Sequence, residues 1–365
     1  MWLILTTFSI NRGRFNLLKL KSKKRIYKII FILGVALFIF GIICGFVDII
    51  QPLRGIFIII GVLVGLISAL LITDGNGKRH TKVITVVFMF PIMLAFICTK
   101  FLPFVMGVFY SLTDWNGIKF DSFVGISNYI NSFKGGGFQY SFLLTAIYAV
   151  LNMIAVNVLG FFLALICVQK IKRIGFFRAS FFLPNMIGGI VLGYVWQFIF
   201  NKVFVVLFDQ VSMLSSAKTA IFAIAIVSTW QYAGYIMMIY IAGLQSVPGD
   251  ILEAASVDGA SGWKVTTKIR IPMMANTFTN CVFLSLLQSF DQFDLNFAIT
   301  NGAPAVLIKG KVIPSTQFLS LNIYNTAMIK NDYGVAQAQA IMFFLILTVL
   351  SLTQVSIMKK WEVTA

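Results

Sequence analysis

The sequence predicts an all-α membrane protein with about eight transmembrane helices and with both termini in the cytoplasm. Of its 365 residues, 59% are hydrophobic and only 11% are charged, whereas soluble domains carry about 25% charged residues. Several apolar runs reach the length of about 20 residues that a helix needs to cross a hydrocarbon core of about 30 Å. Because lipid offers the backbone no hydrogen-bond partners, we expect these runs to be helices.

Eight apolar runs follow one another along the chain and account for the predicted spans. They cover residues 27–47, 55–72, 83–110, 142–168, 176–200, 219–244, 273–299 and 336–358. The third run contains Pro91 and Pro103, so we expect a kinked or tilted helix there. The fifth run contains Pro184 and the pair Gly188-Gly189, and the seventh is the least apolar.

The basic residues define the orientation of the chain in the membrane. They concentrate in five places, at residues 19–28, 78–82, 170–178, 264–270 and 359–360. These places are alternate connections, and the positive-inside rule assigns all of them to the cytoplasm of a multi-pass plasma-membrane protein. Lys309, Lys311 and Lys330 are exceptions in a longer, mixed segment. The net charge of +17 therefore reflects topology, and we expect no nucleic-acid partner.

The cytoplasmic connection at residues 246–272 predicts two short helices. Residues 247–250 are typical of a turn, and Asp250 is expected to cap the first helix. The second helix begins near Gly262 and is expected to stop before the proline. Small alanines would let the first helix enter a groove of a partner, with one carboxylate available to a basic group. The alternative is an ordinary amphipathic loop. The residues that stand out are Glu253, Ala254, Ala255, Asp258, Gly259 and Pro272.

Two polar stripes, in the sixth and seventh runs, are the candidate substrate-binding residues. They comprise Ser228, Gln231, Tyr232 and Tyr235, and Ser285, Gln288, Ser289 and Gln292. Each set recurs at i, i+3, i+4 and i+7, which places it on one helical face. Such side chains line a cavity or bond to a neighbouring helix. Amide, hydroxyl and aromatic groups together suit a neutral sugar or polyol, which has polar edges and an apolar ring face. Interhelical bonding remains the alternative.

Two pairs of carboxylates support less favoured hypotheses. Asp291 and Asp294 could couple transport to a proton or cation, as in a secondary transporter. The residues themselves leave the role of Asp291 open. A membrane enzyme acting on lipid-linked sugars would need a carboxylate pair in a polar loop, for which Asp114 and Asp121 are weak candidates.

Several kinds of site are not indicated by the sequence. It lacks a phosphate-binding loop of the G-x-x-x-x-G-K-[ST] type, a nucleophile elbow and a zinc motif. The four cysteines lie in apolar runs at wide spacing, and His80 belongs to a polar turn at residues 73–80. We therefore expect no catalytic residue, no metal and no cofactor on this chain, which cannot itself be an ATPase.

A set of short segments resembles one known family. The segments are residues 123–125, 128–129, 177–179, 181–184, 242–245, 253–272, 293–294 and 300–304. With them, the chain resembles the first permease subunit of carbohydrate ATP-binding-cassette importers of the maltose type, from the family of binding-protein-dependent inner-membrane components, over about residues 81–360. The family usually has two glycines before Pro304, and Ala303 replaces one of them. The family also commonly has an acid next to Phe293, so the resemblance implies a structural or gate-lining role for Asp294. Residues 27–72 resemble the added N-terminal helices of the maltose permease, whose large extracellular domain is missing here.

The resemblance implies an organisation, a function and a set of partners. It divides the chain into a basic segment with an extra hairpin at residues 1–80 and a type I importer permease core at 81–365. It identifies residues 246–272 as the loop that couples to cytoplasmic ATP-binding subunits, and it places the two polar stripes at a sugar site in the middle of the membrane. The expected partners are a second permease in a heterodimer, the ATPase subunits that use ATP, and an extracytoplasmic solute-binding protein. An oligosaccharide is the expected substrate, with a polyol, glycerol phosphate or polyamine as alternatives.

Overall fold

A computed structural model describes residues 26–41, 54–72, 78–119, 122–134, 136–169, 172–308 and 311–360. The chain divides into two compact units, Met1–Val105 and Met106–Ala365. Among these residues the secondary structure is helical apart from a two-stranded hairpin and one isolated bridge between Thr113 and Phe123. The predicted all-helical membrane class is therefore confirmed. In the part of the chain that the structure describes, five helices are long and apolar enough to cross a membrane: Phe88–Tyr110, Gly137–Cys167, Gly189–Phe208, Ala217–Gln245 and Tyr333–Lys359.

The first unit begins with the predicted hairpin. Helix α1 (Ile26–Gly41) packs against α2 (Arg54–Ile72) through glycines. A Cβ atom built on Gly34 would lie 2.6 Å from the Gly65 nitrogen, so the two backbones approach as closely as small residues allow. The predicted end of the first span, at residues 42–47, lies outside the described residues.

Helix α3 (Lys78–Phe96), a π-helical turn (Ile97–Phe101) and α4 (Leu102–Tyr110) form the third predicted span. His80 lies in the first turn of α3 and not in a polar turn, which corrects the prediction. The π turn ends two residues before Pro103. A widened turn is a common accommodation of a residue that cannot donate a backbone hydrogen bond.

The second unit contains the helices that build the candidate site. They are α5 (Ser127–Lys134), α6 (Gly137–Cys167), α7 (Ile174–Phe182), α8 (Gly189–Phe198), α9 (Phe204–Phe208), α10 (Ala217–Gln245), α11 (Gly249–Val257), α12 (Gly262–Val265), α13 (Ile271–Met273), α14 (Ala275–Phe290), α15 (Asp294–Ile299), α16 (Leu319–Met328) and α17 (Tyr333–Lys359). Strands β1 (Ala305–Ile308) and β2 (Lys311–Pro314) pair antiparallel, with Ala305 opposite Pro314. Helix α5 lies in the connection at residues 111–140, between the third and fourth predicted spans.

Two predicted spans are interrupted. The fifth breaks at Ile187 and Gly188, whose backbones are extended, so its membrane-length helix is Gly189–Phe208 and not residues 176–200. The 3₁₀ turn Leu183–Met186, with Pro184 near its start, precedes the break. The seventh ends at Phe290 and resumes at Asp294. Proline and glycine explain the first break; the second falls where polar residues line a cavity.

Helices α6, α10 and α14 form the centre of the second unit. Its main apolar cluster joins Val156 of α6 to Met237 of α10 and Cys281 of α14, all fully buried. Helix α7 crosses α10 at Gly234, where a Cβ atom would collide with the carbonyl oxygen of Phe181. The bundle thus brings the two helices with polar stripes onto a common partner, α6.

A hydrogen-bonded turn follows α15 and fixes the hairpin. The Asn296 amide donates to the Thr316 carbonyl over 2.6 Å, and its oxygen accepts from the Phe318 backbone nitrogen over 3.0 Å. The Thr316 hydroxyl donates to the Ala303 carbonyl over 2.7 Å. Asn301 and Gly302 have positive φ angles of 47° and 86°. The segment at residues 300–304 is therefore a tight turn held by buried side chains.

Candidate functional site

A polar cavity of about 340 Å³ lies between the break before α8, helix α10 and the end of α14. It is lined by Asn185, Gly189, Gln231, Tyr232, Gln288, Asp291, Gln292, Phe293 and Asp294. Both helix breaks described above contribute to its wall. Because a broken helix can aim consecutive residues at one space, Asp291, Gln292 and Asp294 line the cavity together, whereas a continuous helix would have spread them around its surface.

Half of the eight predicted substrate residues line this cavity: Gln231, Tyr232, Gln288 and Gln292. Gln292 does so from a position beyond the end of α14, so the prediction that it shares a helical face with Ser285, Gln288 and Ser289 is wrong. The Gln231 side chain donates to the Ile187 carbonyl over 3.1 Å, which ties α10 to the break before α8.

The three serines of the two stripes are fully buried and bonded to other side chains. Ser285 accepts from the Asn157 amide over 2.6 Å, and Ser289 accepts from the Asn152 amide over 2.8 Å. Ser228 accepts from the Gln292 amide over 3.0 Å. These serines do not line the cavity. They form hydrogen bonds between helices, which was the alternative to substrate binding.

Tyr235 lies at a second, mostly apolar cavity of about 500 Å³, together with Arg178, Phe182 and Met238. Its ring is 5.2 Å from the ring of Tyr232, measured between centroids. The Arg178 guanidinium donates to the Cys167 carbonyl at the end of α6 over 2.6 Å. Tyr235 is therefore separated from the cavity of the other stripe residues by one aromatic ring.

Two asparagines of α6 that the sequence patterns did not single out join the stripe helices to α6. Asn157 bonds to Ser285, and its side-chain oxygen accepts from the Tyr240 hydroxyl over 2.8 Å. Asn152 bonds to Ser289, and its oxygen accepts from the Thr229 hydroxyl over 3.2 Å. Both hold α10 and α14 to α6. Their signal was present in the sequence, because polar amides five residues apart in an apolar span rarely lack a partner.

The carboxylates have distinct surroundings. Asp291 and Asp294 are exposed at the cavity wall, and a Cβ atom on Gly189 would lie 2.6 Å from the Asp294 Cβ. Any side chain at position 189 would therefore clash with Asp294. Asp114 accepts hydrogen bonds from the backbone and hydroxyl of Ser122, and Asp121 is outside the described residues. Among the residues that the structure describes, no three His, Cys, Asp or Glu side chains converge as a metal site.

The cytoplasmic connection places its motif on α11. Glu253 and Ala254 are exposed on this helix, Ala255 is buried, and Asp258 follows the last helical residue. Gly259 ends the motif with a φ of 72°, a left-handed conformation that glycine adopts without strain. The glycine therefore sets the direction in which the chain leaves α11.

Two predictions about this connection are wrong. Pro248 occupies the position before α11, and Asp250 lies inside the first turn, where its charge is favourable near the helix N-terminus. The second helix does not stop before Pro272 but continues to Met273 through a π-helical turn, Thr266–Arg270. The wider turn accommodates the proline ring, so the helix does not have to end.

Comparison with known proteins gives consistent matches. The model of the family described as "Binding-protein-dependent transport system inner membrane component" matches residues 156–362. The probable starch degradation products transport system permease protein AmyD of Thermoanaerobacterium thermosulfurigenes is 39% identical over 282 residues, which cover 76% of this chain and 94% of that protein. The multiple sugar-binding transport system permease protein MsmF of Streptococcus mutans is 32% identical over 271 residues, which cover 72% of this chain and 91% of that protein.

One further relative and one solved structure extend this comparison. The trehalose/maltose transport system permease protein MalF of Thermococcus litoralis is 29% identical, with 72% of this chain and 88% of that protein covered. The crystal structure of a bacterial ABC transporter involved in the import of the acidic polysaccharide alginate contains a chain with a TM-score of 0.64 at 17% identity. The alignment covers 78% of this chain and 99% of that chain, so the two share a fold.

Proposed function

Because the chain belongs to the family of binding-protein-dependent transport system inner membrane components, we propose that it is the permease subunit of an ATP-driven importer that moves a carbohydrate across the plasma membrane. The proposal rests on one observation: the chain is 39% identical to a permease named for starch degradation products, and the alignment covers 94% of that permease. The permeases named for multiple sugars and for trehalose and maltose support the same substrate class.

The cavity provides a chemically suitable sugar site. Its volume of about 340 Å³ falls in the range of about 300–1,000 Å³ that is common for small-molecule sites. The amides of Gln231, Gln288 and Gln292 can donate to and accept from hydroxyl groups, and the rings of Tyr232 and Phe293 can cover an apolar sugar face. We assign these residues direct contact with the substrate.

Charge narrows the choice among the alternative substrates. Asp291 and Asp294 are the charged residues of the cavity wall, which has no Lys or Arg among its described lining residues. An anionic glycerol phosphate is therefore disfavoured by repulsion. A neutral sugar or polyol can donate hydroxyl protons to the carboxylates, and a polyamine would bind as a cation. We favour the oligosaccharide, because the relatives above are named for sugars.

The other stripe residues have supporting roles in this proposal. Ser228, Ser285 and Ser289 hold the lining residues in place through Gln292, Asn157 and Asn152. The ring of Tyr235 packs against the ring of Tyr232 and supports its position. A polar side chain that is buried and fully bonded stabilises a helix pair by about 0.6–2 kcal/mol in a membrane, so these residues affect the site through its shape.

We assign ATP binding and hydrolysis to partner subunits, with α11 as the docking helix. Val257 is 88% exposed and Trp263 is 64% exposed in this polar connection. Exposed patches of large apolar side chains outside a membrane span are typical of a protein contact, and we infer that these two side chains belong to such a patch. Glu253 lies on α11, as does Val257, and its carboxylate can pair with a basic group of the ATPase. The chain itself needs no cofactor in this mechanism.

The connection is placed to transmit movement. It joins α10, which carries Gln231 and Tyr232, to α14, which carries Gln288. When the ATPase subunits close, they would displace α11 and thus move both walls of the cavity. We assign the other half of the transport path to a second permease subunit. The ATPase must bind α11 with different affinity in its two states, since equal affinity would shift no equilibrium.

The proposal is tested by reversing the charge of the docking helix. We expect Glu253→Lys to abolish ATP-dependent uptake of radiolabelled maltooligosaccharides by the complete importer in proteoliposomes, while the chain still reaches the membrane. Lys360→Glu, a charge reversal in another cytoplasmic segment, is the matched control and should leave uptake unchanged. Normal uptake by Glu253→Lys would refute the coupling role.

The same assay separates the rival functions. Uptake by the chain alone without ATP, lost in Asp291→Asn, would establish an ion-coupled transporter instead. A panel that also contains a polyol, glycerol phosphate and a polyamine identifies the solute. ATP-dependent uptake of one of these and of no sugar would overturn the carbohydrate assignment.

A further inference from the structure

Helix α5 has a reversed amphipathic pattern. Its polar residues Asn128 and Ser132 are 6% and 5% exposed, while Ile126, which precedes the helix, and Ile130 and Phe133 are 68%, 51% and 49% exposed. A surface helix of a soluble protein buries its apolar face and turns its polar face to water. The outer surface of α5 therefore faces something other than water.

Hydrogen bonds fix α5 in this orientation. The Asn128 amide donates to the carbonyl oxygens of Ser111 and Thr113 over 2.9 and 2.8 Å. The Ser132 hydroxyl donates to the Asn128 carbonyl over 2.9 Å, and the hydroxyls of Tyr129 and Ser111 are 2.8 Å apart. A rotation that buried the apolar residues would break the bonds from Asn128 and Tyr129 to Ser111 and Thr113 and leave polar groups unpaired, at a cost of about 1–3 kcal/mol each.

The position of α5 along the membrane normal follows from α6. Helix α6 has 31 residues and is about 46 Å long at 1.5 Å per residue, which matches a bilayer of about 40–45 Å including its headgroups. It begins three residues after α5 ends, at Gly137. The Gln139 amide donates to the Phe133 carbonyl over 2.6 Å, and the rings of Phe133 and Phe138 are 5.5 Å apart. Helix α5 is thus held at the level of one headgroup layer.

The basic residues identify which layer this is. Lys172 and Arg173 follow the other end of α6, and the positive-inside rule places that end in the cytoplasm. The end that carries α5 is therefore extracytoplasmic. Lys134, the last residue of α5, is exposed and can extend its ammonium group to a lipid phosphate while its stem stays against apolar groups.

From these observations we propose that α5 is an interfacial helix whose Ile126, Ile130 and Phe133 side chains insert into the outer leaflet of the membrane. Lipid is favoured as the occupant because α5 contacts the start of the membrane-length helix α6 through Phe133 and Phe138, and the next turns of α6 expose the apolar side chains of Leu143 and Ile147. Interfacial helices bury an apolar face by about 5–10 Å at the boundary of headgroups and acyl chains. The contact anchors the connection between α4 and α6 to the bilayer.

Site-directed spin labelling tests the proposal. Ile130→Cys and, as the matched control on the adjacent exposed position, Asn131→Cys are introduced after Cys44 and Cys98 are replaced by serine. The labelled full-length chain, assembled with its partner subunits in phosphatidylcholine vesicles, is examined by power saturation with oxygen and with a water-soluble nickel chelate. We expect position 130 to favour oxygen over nickel several-fold more than position 131, because oxygen concentrates in lipid.

Two results would overturn the lipid contact. Low accessibility of position 130 to both reagents would show that a protein partner covers α5, and high accessibility to nickel would show that the face is in water. Phe133→Cys provides a second probe on the same face if the first variant fails to assemble, and ATP-dependent uptake by each labelled sample verifies its fold.

Discussion

At the scale of single residues, the polar side chains of one helical stripe contact different surroundings. Gln288 lines the cavity and accepts only a long bond of 3.4 Å from Asn152 of α6, whereas Ser285 and Ser289 are buried and bond to α6 over 2.6 and 2.8 Å. Residues at i, i+3 and i+4 share a face that is wide enough to contact both a cavity and a neighbouring helix. Spacing identifies the face, but the neighbours decide which of its residues reach a substrate.

This difference predicts opposite effects of two neighbouring substitutions. Gln288→Leu keeps the size of the side chain and removes its amide from the cavity, so we expect the KM of uptake to rise roughly five- to ten-fold, equivalent to about 1–1.4 kcal/mol, with little loss of stability. Ser285→Ala leaves the Asn157 amide without that acceptor, so we expect a stability loss of about 1 kcal/mol and an unchanged KM.

Uptake kinetics and thermal unfolding in detergent measure the two effects on the same samples. A rise in KM for Ser285→Ala that equals the rise for Gln288→Leu, without a change in stability, would contradict the division of the stripe. Ser285 would then face the substrate in the assembled importer.

At the scale of helices, close backbone approach sets the positions of the elements around the cavity. Helix α7 crosses α10 at Gly234, next to the aromatic pair Tyr232 and Tyr235. The 3₁₀ turn that follows α7 then carries Asn185 to the cavity wall. The geometry of the wall therefore depends on how tightly α7 sits on α10.

We expect Gly234→Ala to separate α7 from α10. The added methyl group would collide with backbone, which cannot rotate away as a side chain can, and overpacking of this kind costs about 1–3 kcal/mol. Gly175→Ala is the matched control, since Gly175 lies on α7 with nothing within 4 Å of the added atom. Thermal unfolding should show a lower Tm for Gly234→Ala only. Equal Tm values for the two variants would contradict the close crossing.

At the scale of the whole molecule, α10 and α14 meet at the cavity and are joined by the connection that holds α11. Both helices contribute to the cavity, and the connection between them carries α11 and the Glu253 motif. The hairpin of β1 and β2 follows α15 at the opposite end of the seventh predicted span. The positive-inside rule predicts that the motif lies inside the cell and the hairpin outside.

Cysteine labelling in whole cells tests this orientation. Leu307 in the hairpin and Val257 in the cytoplasmic connection are both exposed apolar residues, so a cysteine should be tolerated at each. We expect a membrane-impermeant maleimide to label Leu307→Cys in intact cells and Val257→Cys only after the membrane is opened. Labelling of Val257→Cys in intact cells would reverse the assigned topology.

The sequence determined the helical membrane class and the family. Both follow from properties that are local along the chain: apolar runs of membrane length and short motifs at fixed spacing, which resembled the family to which the chain belongs. The position of Glu253 on a short helix ended by Gly259 was also predicted, because turn and helix signals lie next to each other in the sequence. The number of spans and the roles of the motif residues remain predictions.

The tertiary structure decided where helices break and which polar groups meet. Residues 176–200 and 273–299 look continuous by hydrophobicity, yet each contains a break at the cavity, where polar neighbours can satisfy a freed backbone. The bonds from Asn152 and Asn157 of α6 to α10 and α14 join residues about 80–140 positions apart. Periodicity describes one helix at a time, so the partners of its polar side chains depend on which helices pack together.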